Sequence, residues 1–314
     1  MVKRLLIDTD TAGDDAVSIL FGILWPDTSV EAITIAAGNL PLDPCVENAL
    51  YTLEVAGKTG IPVFAGASRP LVRPLVTAEY VHGQDGMGNS YFPKAKQRPE
   101  AQHGVDAIIE TANRWSGELE IVAQAPLTNL AMAFLKDPKL PQKVKRLWIM
   151  GGSNNFIGNI SPAAEFNFYV DPEAAHIVMQ AGFEIVLVPW DLCVNYGTLL
   201  RDELEPIYQL NTALSEFYFA INRAVWDFNL HHREGGSIDG ITHPDSLTIA
   251  LLLNPELVIE QKRLFVDVEY RSDLTRGYSL VDTFGVLNQP ANAEVVFKAN
   301  KLAFRDMLAT LLGG

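Results

Sequence analysis

Cysteine is almost missing from this chain of 314 residues; Cys45 and Cys193 are the only two. Two such distant thiols give neither a disulfide framework nor a Cys-x-x-Cys metal pair, and they read as reduced thiols of a cytoplasmic protein. Long apolar runs are missing as well. The first one, residues 5–7, stops at Asp8, too early for a signal-peptide core, and no run of about 18 apolar residues offers a membrane span. Basic residues are the minority, 24 Lys and Arg against 38 Asp and Glu, which leaves a net charge of -14. Nucleic-acid binding rests on cations neutralising phosphates, so this balance argues against a nucleic-acid partner; acidic groups gathered in one place attract a cation instead. No Pro-, Ser- or charge-rich stretch separates two halves, and 1–314 reads as one large domain.

What is present, 48% hydrophobic and 20% charged residues, suits a globular protein with a sizeable core. Short apolar runs fit for buried parallel strands recur at 5–7, 30–37, 62–65, 119–123, 147–150 and 184–189. Between them, 14–25, 44–57, 105–115, 126–135 and 172–181 carry apolar residues at helical spacing, several with Pro near the start. The alternation predicts an α/β fold, a doubly wound and mostly parallel sheet with flanking helices. From Asp202 onward the pattern is a mostly helical elaboration, until strand-like stretches at 263–270 and 294–298. Ligands of such sheets bind beyond the carboxyl ends of the strands, and the loops there are polar: Asp8 to Asp15, Gly38-Asn39, Gln124 to Thr128, and Gly151 to Asn155.

Four carboxylates within eight residues, Asp8, Asp10, Asp14 and Asp15, are the strongest signal. Asp8 and Asp10 share a face of an extended strand end, while Asp14 and Asp15 begin the next helix after Gly13 turns the chain. Capping by the helix dipole accounts for one or two of them, not four. Packed like charges repel unless a cation neutralises them, and oxygen ligands imply a hard ion, Ca²⁺ or Mg²⁺. Such an ion lowers the pKa of a water it holds, leaving a neighbouring carboxylate such as Asp10 to take the proton.

Asn159, Glu165 and Asn167, in Gly158-Asn-Ile-Ser-Pro-Ala-Ala-Glu-Phe-Asn, have the donors and acceptors that grip ribose hydroxyls, although Asn, Gly and Ser also simply mark a loop. His82 precedes glycines 83, 86 and 88 in what reads as a flexible functional loop; on general grounds a loop His is more often merely solvated. His231 and His232 are adjacent, cannot share a helix face, and read as surface or pocket-lining. Gly57-Lys58-Thr59 imitates a P-loop ending, but Thr52 stands where its first glycine belongs. Trp226 and Phe228 could face a base, against a default of core packing.

Together these segments resemble the inosine-uridine-preferring nucleoside hydrolase family through most of the chain. The resemblance rests on Asp-Thr-Asp-Thr-Ala-Gly-Asp-Asp at 8–15, Ala-Gly-Asn39, His82-Gly-Gln-Asp-Gly, Pro126-Leu-Thr-Asn-Leu, Met150-Gly-Gly, and the 158–167 segment leading to Asp171-Pro-Glu-Ala-Ala. It implies hydrolysis of the N-glycosidic bond of ribonucleosides, with Ca²⁺ held by Asp10, Asp15, Asp245 and the Thr128 carbonyl, and with Asp10 as base. It further implies that Asp14, Asn39, Asn159, Glu165 and Asn167 bind the ribose, that Met150 and Phe166 line the pocket, and that the chain forms homodimers or homotetramers. One departure stands out: the family often has His directly before the late Asp ligand, whereas here Pro244 separates His243 from Asp245. Leaving-group assistance is then expected from His82 first and His243 second.

Two rivals remain. Leu-Leu-Ile-Asp8-Thr-Asp10-Thr also fits the nucleophile motif of haloacid-dehalogenase-like phosphatases, with Asp8 phosphorylated and Asp10 as acid. A nucleoside- or ribose-binding protein without turnover would need the hydroxyl-gripping residues but no metal.

Overall fold

Alternation along the strands builds two helical layers around one sheet. In β1 (Lys3–Thr9), Leu5 and Ile7 face one layer while Leu6 faces the other. The same holds in β2 (Thr28–Ile35), β3 (Val63–Ala65), β4 (Leu119–Gln124), β5 (Arg146–Met150) and β6 (Ile185–Val188) wherever both faces are covered: Val122, Trp148 and Val186 join Leu5, and Ile121, Leu147 and Ile185 join Leu6. Burial on both faces explains why these strands read as short continuous apolar runs. This computed structural model describes residues 2–231 and 237–314, so His232 lies outside the described residues.

The sheet order is β3-β2-β1-β4-β5-β6, continued by the strands Ala293–Ala299 and Val258–Leu264. Every neighbouring pair is parallel except the last. The helices Gly13–Leu24 and Leu42–Val55 cover the Leu5 face, joined there by Ala213–His231, Pro244–Leu253 and Lys301–Gly313; Gly104–Arg114, Thr128–Lys136 and Pro172–Gln180 cover the Leu6 face. The doubly wound architecture expected from the sequence is the one observed. With β2 and β4 on either side of β1, the winding direction switches there, and the loops after β1, β2 and β4 open together.

Three local expectations are corrected. The stretch 263–270 is not one strand: Val258–Leu264 ends in the main sheet, and Val266–Val268 pairs antiparallel with Ser279–Val281 in a separate hairpin. Asn292 holds the chain at this exit, accepting from Val266 N at 2.8 Å and donating to Val266 O at 2.9 Å and Met179 O at 3.0 Å. The helical C-terminal third is also interrupted by a short pairing of Thr198–Leu200 with Gly240–Thr242. His82, finally, closes a helical turn, Glu79–His82, and the glycines after it serve close packing. A Cβ on Gly86 would stand 2.2 Å from Leu40 Cδ1 and one on Gly88 2.2 Å from Ala220 O, and both residues hold positive φ.

Asn292→Ala should cost about 1–3 kcal/mol, because it strips both main-chain partners from Val266 at once. Urea unfolding measures this, and a loss under about 0.5 kcal/mol, the level of an ordinary surface change, would contradict the role given to Asn292.

Candidate active site

Asp10 leaves the end of β1, and Gly38, leaving β2, makes room for it: a Cβ on Gly38 would lie 2.1 Å from Asp10 Oδ2 and 2.7 Å from Pro126 Cδ. Only glycine lets the Asp10 carboxylate and the loop after β4 meet here. Asp10 Oδ2 accepts from Asn39 N at 2.6 Å, while Oδ1 is buried with no partner. Asp15, in the first turn of Gly13–Leu24, accepts at Oδ1 from Thr9 Oγ1 at 2.7 Å and at Oδ2 from Ala12 N at 3.0 Å and Asn39 Nδ2 at 3.2 Å. Asp14 reaches the N-terminus of Pro244–Leu253, where Oδ2 accepts from Asp245 N at 2.7 Å and Ser246 N at 3.0 Å, and Oδ1 from Ser246 Oγ at 2.7 Å. A sequence separation of 231 residues is closed by that cap, which brings Asp245 to the cluster.

All four carboxylates are out of water, Asp10 at 0%, Asp15 at 1%, Asp14 at 3% and Asp245 at 6% exposure. Burial pushes Asp14 and Asp15 up to about 6. Burial, then the charge of Asp15, raises Asp10 well above the usual carboxylate range; burial, then Asp15, Asp14 and Asp10, does the same to Asp245. A divalent cation would remove this conflict. Among the described residues no group of three or more His, Cys, Asp or Glu side chains is placed so that it could hold a metal ion by itself. The residues present instead fit a hard cation held by mixed oxygen donors, with the unpartnered Asp10 Oδ1 foremost. Thr128, 2% exposed, opens the helix after β4, in the loop whose Pro126 abuts Gly38.

Above the cluster lies a cavity of about 390 Å³. Every substrate-binding residue expected from the sequence lines it: Asp14, Asn39, Met150, Asn159, Glu165, Phe166 and Asn167. Asp10 and Asp15 lie outside the lining, but Asn39, bonded to both, is part of it. Glu165 caps the helix Phe166–Val170, accepting from Asn167 N at 2.8 Å, Phe168 N at 3.2 Å and, from the loop after β5, Gly152 N at 2.8 Å; burial pushes it up to about 7. Asn167 Nδ2 donates to Met150 O at 3.2 Å.

The rest of the cavity wall is more apolar, with Tyr80, Val81, His82, Trp190, Val225 and Phe228. Tyr80 and Phe228 meet edge to face, centroids 5.9 Å apart. Sequence reasoning missed Tyr80, Trp190 and Asn229; Trp190 had a signal, since it follows β6 as the other site loops follow their strands. Trp226 does not reach the cavity, because its indole N–H donates to Asp239 Oδ1 at 2.8 Å. His231 is exposed at the end of its helix, Nδ1 against Asp227 O at 3.2 Å.

The two candidate histidines part company. His82 lines the cavity, its Nδ1 buried without a partner, and burial lowers its pKa to about 4. The ring is therefore neutral near pH 7, in contrast to the ordinary imidazole assumed from sequence. His243 is corrected: it is fully buried and absent from the cavity wall, with Nε2 2.6 Å from Tyr218 Oη and Nδ1 2.7 Å from Gly197 O. The extra Pro244 is what takes the cavity position, and the imidazole turns inward. Asp8, also outside the cavity wall, accepts at Oδ1 from Thr34 Oγ1 at 2.6 Å and Asn129 Nδ2 at 2.8 Å, and its Oδ2 is buried without a partner.

Comparison with known proteins agrees with this fold. A family model described as inosine-uridine preferring nucleoside hydrolase matches residues 5–306. A pyrimidine-specific ribonucleoside hydrolase, RihA, of Shewanella baltica is 33% identical over 314 residues, 99% of this chain and 96% of its own. A plant nucleoside hydrolase of known structure superposes with a TM-score of 0.92 at 31% identity over 100% of both chains. An inosine-guanosine nucleoside hydrolase does so with 0.89 at 28% identity over 99% of each.

The raised carboxyls give the metal-free protein a definite pH dependence. Asp8, Asp14 and Asp15 are held near 6 and Glu165 near 7 in the folded chain, against 3.8 and 4.5 ordinarily, so unfolding releases protons between those values. On this account the contribution of these groups to the stability of the chelated protein is fully present below about pH 4 and is lost as pH rises to about 7. Thermal melts in EDTA across that range check it, with Ca²⁺ at pH 7 expected to restore Tm. A Tm that climbs steadily with pH in EDTA would contradict the burial of these groups.

Proposed function

Because this chain belongs to the inosine-uridine preferring nucleoside hydrolase family, we propose that Asp10 is the general base for hydrolysis of a ribonucleoside whose sugar is held by the Asp14, Asn39, Glu165 and Asn167 side of the cavity. The reaction, ribonucleoside plus water to ribose and free base, is that of the family. The observation that carries the assignment of roles is the cluster of buried carboxylates, with Asp10 Oδ1 unpartnered, two of whose members, Asp14 and Asp245, line a cavity with the amides of Asn39, Asn159 and Asn167 and the carboxyl of Glu165.

Asp10, Asp15, Asp245 and the Thr128 carbonyl would hold Ca²⁺, whose hard-oxygen preference matches them. When bound, the ion supplies a field in which water loses a proton more readily. Asp10 Oδ1, with no competing donor, receives that proton. Water oxygen bonds to the anomeric carbon as the C–N bond breaks, and the bond pair leaves with the base. Amides of Asn39, Asn159 and Asn167 and the carboxylate of Glu165 orient the ribose hydroxyls, and Met150 and Phe166 bound the sugar. The departing ring sits against the Tyr80, His82 and Phe228 side. His82, neutral and with a free Nδ1, assists departure by hydrogen bonding and not as an imidazolium. Homodimers or homotetramers in the cytoplasm complete the proposal, supported by the family and by two cysteines that are both free and buried. Among the described residues no helix is long and apolar enough to cross a membrane.

A panel of purine and pyrimidine nucleosides with free ribose as readout tests the activity, and EDTA followed by Ca²⁺ tests the ion. Asp10→Ala should lower kcat at least about 10²- to 10⁴-fold, the usual worth of a general base. Near wild-type turnover from that variant would remove Asp10 from its role. His82→Ala should lower hydrolysis of inosine or uridine far more than that of p-nitrophenyl riboside, whose leaving group departs unaided. Equal losses on both would assign His82 to positioning alone.

A further inference from the structure

Two buried carboxylates, Asp8 and Asp171, have no part in that reaction scheme, and both belong to sequence segments that carry the family resemblance. They converge on neighbouring residues. Asp171 Oδ2 accepts from Thr128 Oγ1 at 2.6 Å and from Leu71 N at 2.9 Å, and Oδ1 accepts from Ala174 N at 3.0 Å. Asp8 Oδ1 accepts from Thr34 Oγ1 at 2.6 Å and Asn129 Nδ2 at 2.8 Å while its Oδ2 is buried without a partner, and Asn129 Oδ1 accepts in turn from Ala67 N at 2.8 Å. Gly66 is required for this second tie, since a Cβ there would stand 2.3 Å from Asn129 Oδ1. Asp8, Asn129 and Asp171 are all at 0% exposure.

Thr128 and Asn129 open the helix after β4, so its first turn is held from both sides, by the end of β1 and by the start of the helix Pro172–Gln180. Burying an anion is unfavourable unless several donors satisfy it, and an apolar contact would fasten a helix start at less cost. A polar tie adds what packing does not, a fixed rotation of the first turn and hence of its carbonyl. We propose that Asp171 and Asp8 are positioning residues that lock Thr128 and Asn129 so that the Thr128 carbonyl is pre-set as a cation ligand. The inference rests on the Ca²⁺ reading above.

Calcium affinity of the apo protein, measured by titration calorimetry, tests it directly. Thr128→Val keeps the carbonyl and the side-chain shape but removes the hydroxyl that Asp171 accepts, and Thr128→Ser retains the hydroxyl. Supporting partners of metal ligands typically alter affinity 10- to 100-fold, so Thr128→Val and Asp171→Asn should each weaken Ca²⁺ binding by that order while Thr128→Ser stays near wild type. In the double variant Thr128→Val/Asp171→Asn the losses should fail to add, because one hydrogen bond is removed either way. Leu130→Ala, a destabilised control in the same helix, should lower Tm with affinity unchanged. If the Val and Asn variants bind Ca²⁺ like the wild type, or weaken only as much as Leu130→Ala, the positioning role is overturned. A wild-type protein that binds no Ca²⁺ overturns the metal reading and this inference together, and the two failures are told apart by the wild-type titration.

Discussion

Mutual repulsion of Asp10, Asp14, Asp15 and Asp245, all removed from water, is the constraint around which the functional half of this molecule is arranged. Such charges are tolerated only where donors meet them. The chain supplies main-chain N–H groups from Ala12, Asn39, Asp245 and Ser246, two of them at the positive end of the helix that Asp14 caps. After these donors are assigned, Asp10 Oδ1 is still buried and unmatched. In the proposed reaction that oxygen is a cation ligand and the proton acceptor.

Fold and site are coupled through β1. Its neighbours on both sides deliver Gly38-Asn39 and the 124–128 loop to the same crevice, and the missing Cβ of Gly38 lets them touch. Beyond the wall of Asn39, Asn159, Glu165 and Asn167 the cavity changes character, to aromatic rings and a neutral histidine. Pro244 in the wall, with His243 turned to Tyr218, removes one titratable group from the base side. On the proposed mechanism, departure of the base then depends on hydrogen bonding and on the intrinsic quality of the leaving group more than on a proton carried by either histidine.

Much of this was legible in the sequence because it is local. Strands buried on both faces announce themselves as apolar runs, and a strand end followed by Asp-rich turns marks a ligand-bearing edge. The ribose-side residues were read from one segment and from family resemblance together. Less legible were features created by distant packing. No pattern near His243 shows that its ring pairs with Tyr218, and nothing near Asp14 shows that it caps a helix 231 residues later. Tyr80 and Asn229 likewise reach the cavity only through the docking of the long helix Ala213–His231 beside the turn Glu79–His82. The glycines after His82 misled for a related reason, since crowding by Leu40 and Ala220, not mobility, demands them.

The central claim is that the carboxylate cluster holds a divalent cation beneath the sugar. A crystal structure grown in Ca²⁺, with anomalous data collected at long wavelength, tests it most directly. The account predicts one strong calcium peak with oxygens of Asp10, Asp15, Asp245 and the Thr128 carbonyl at about 2.3–2.6 Å, open toward the cavity. A fully active protein whose crystals show no peak there, with Asp10 Oδ1 satisfied by a protein donor instead, would contradict it.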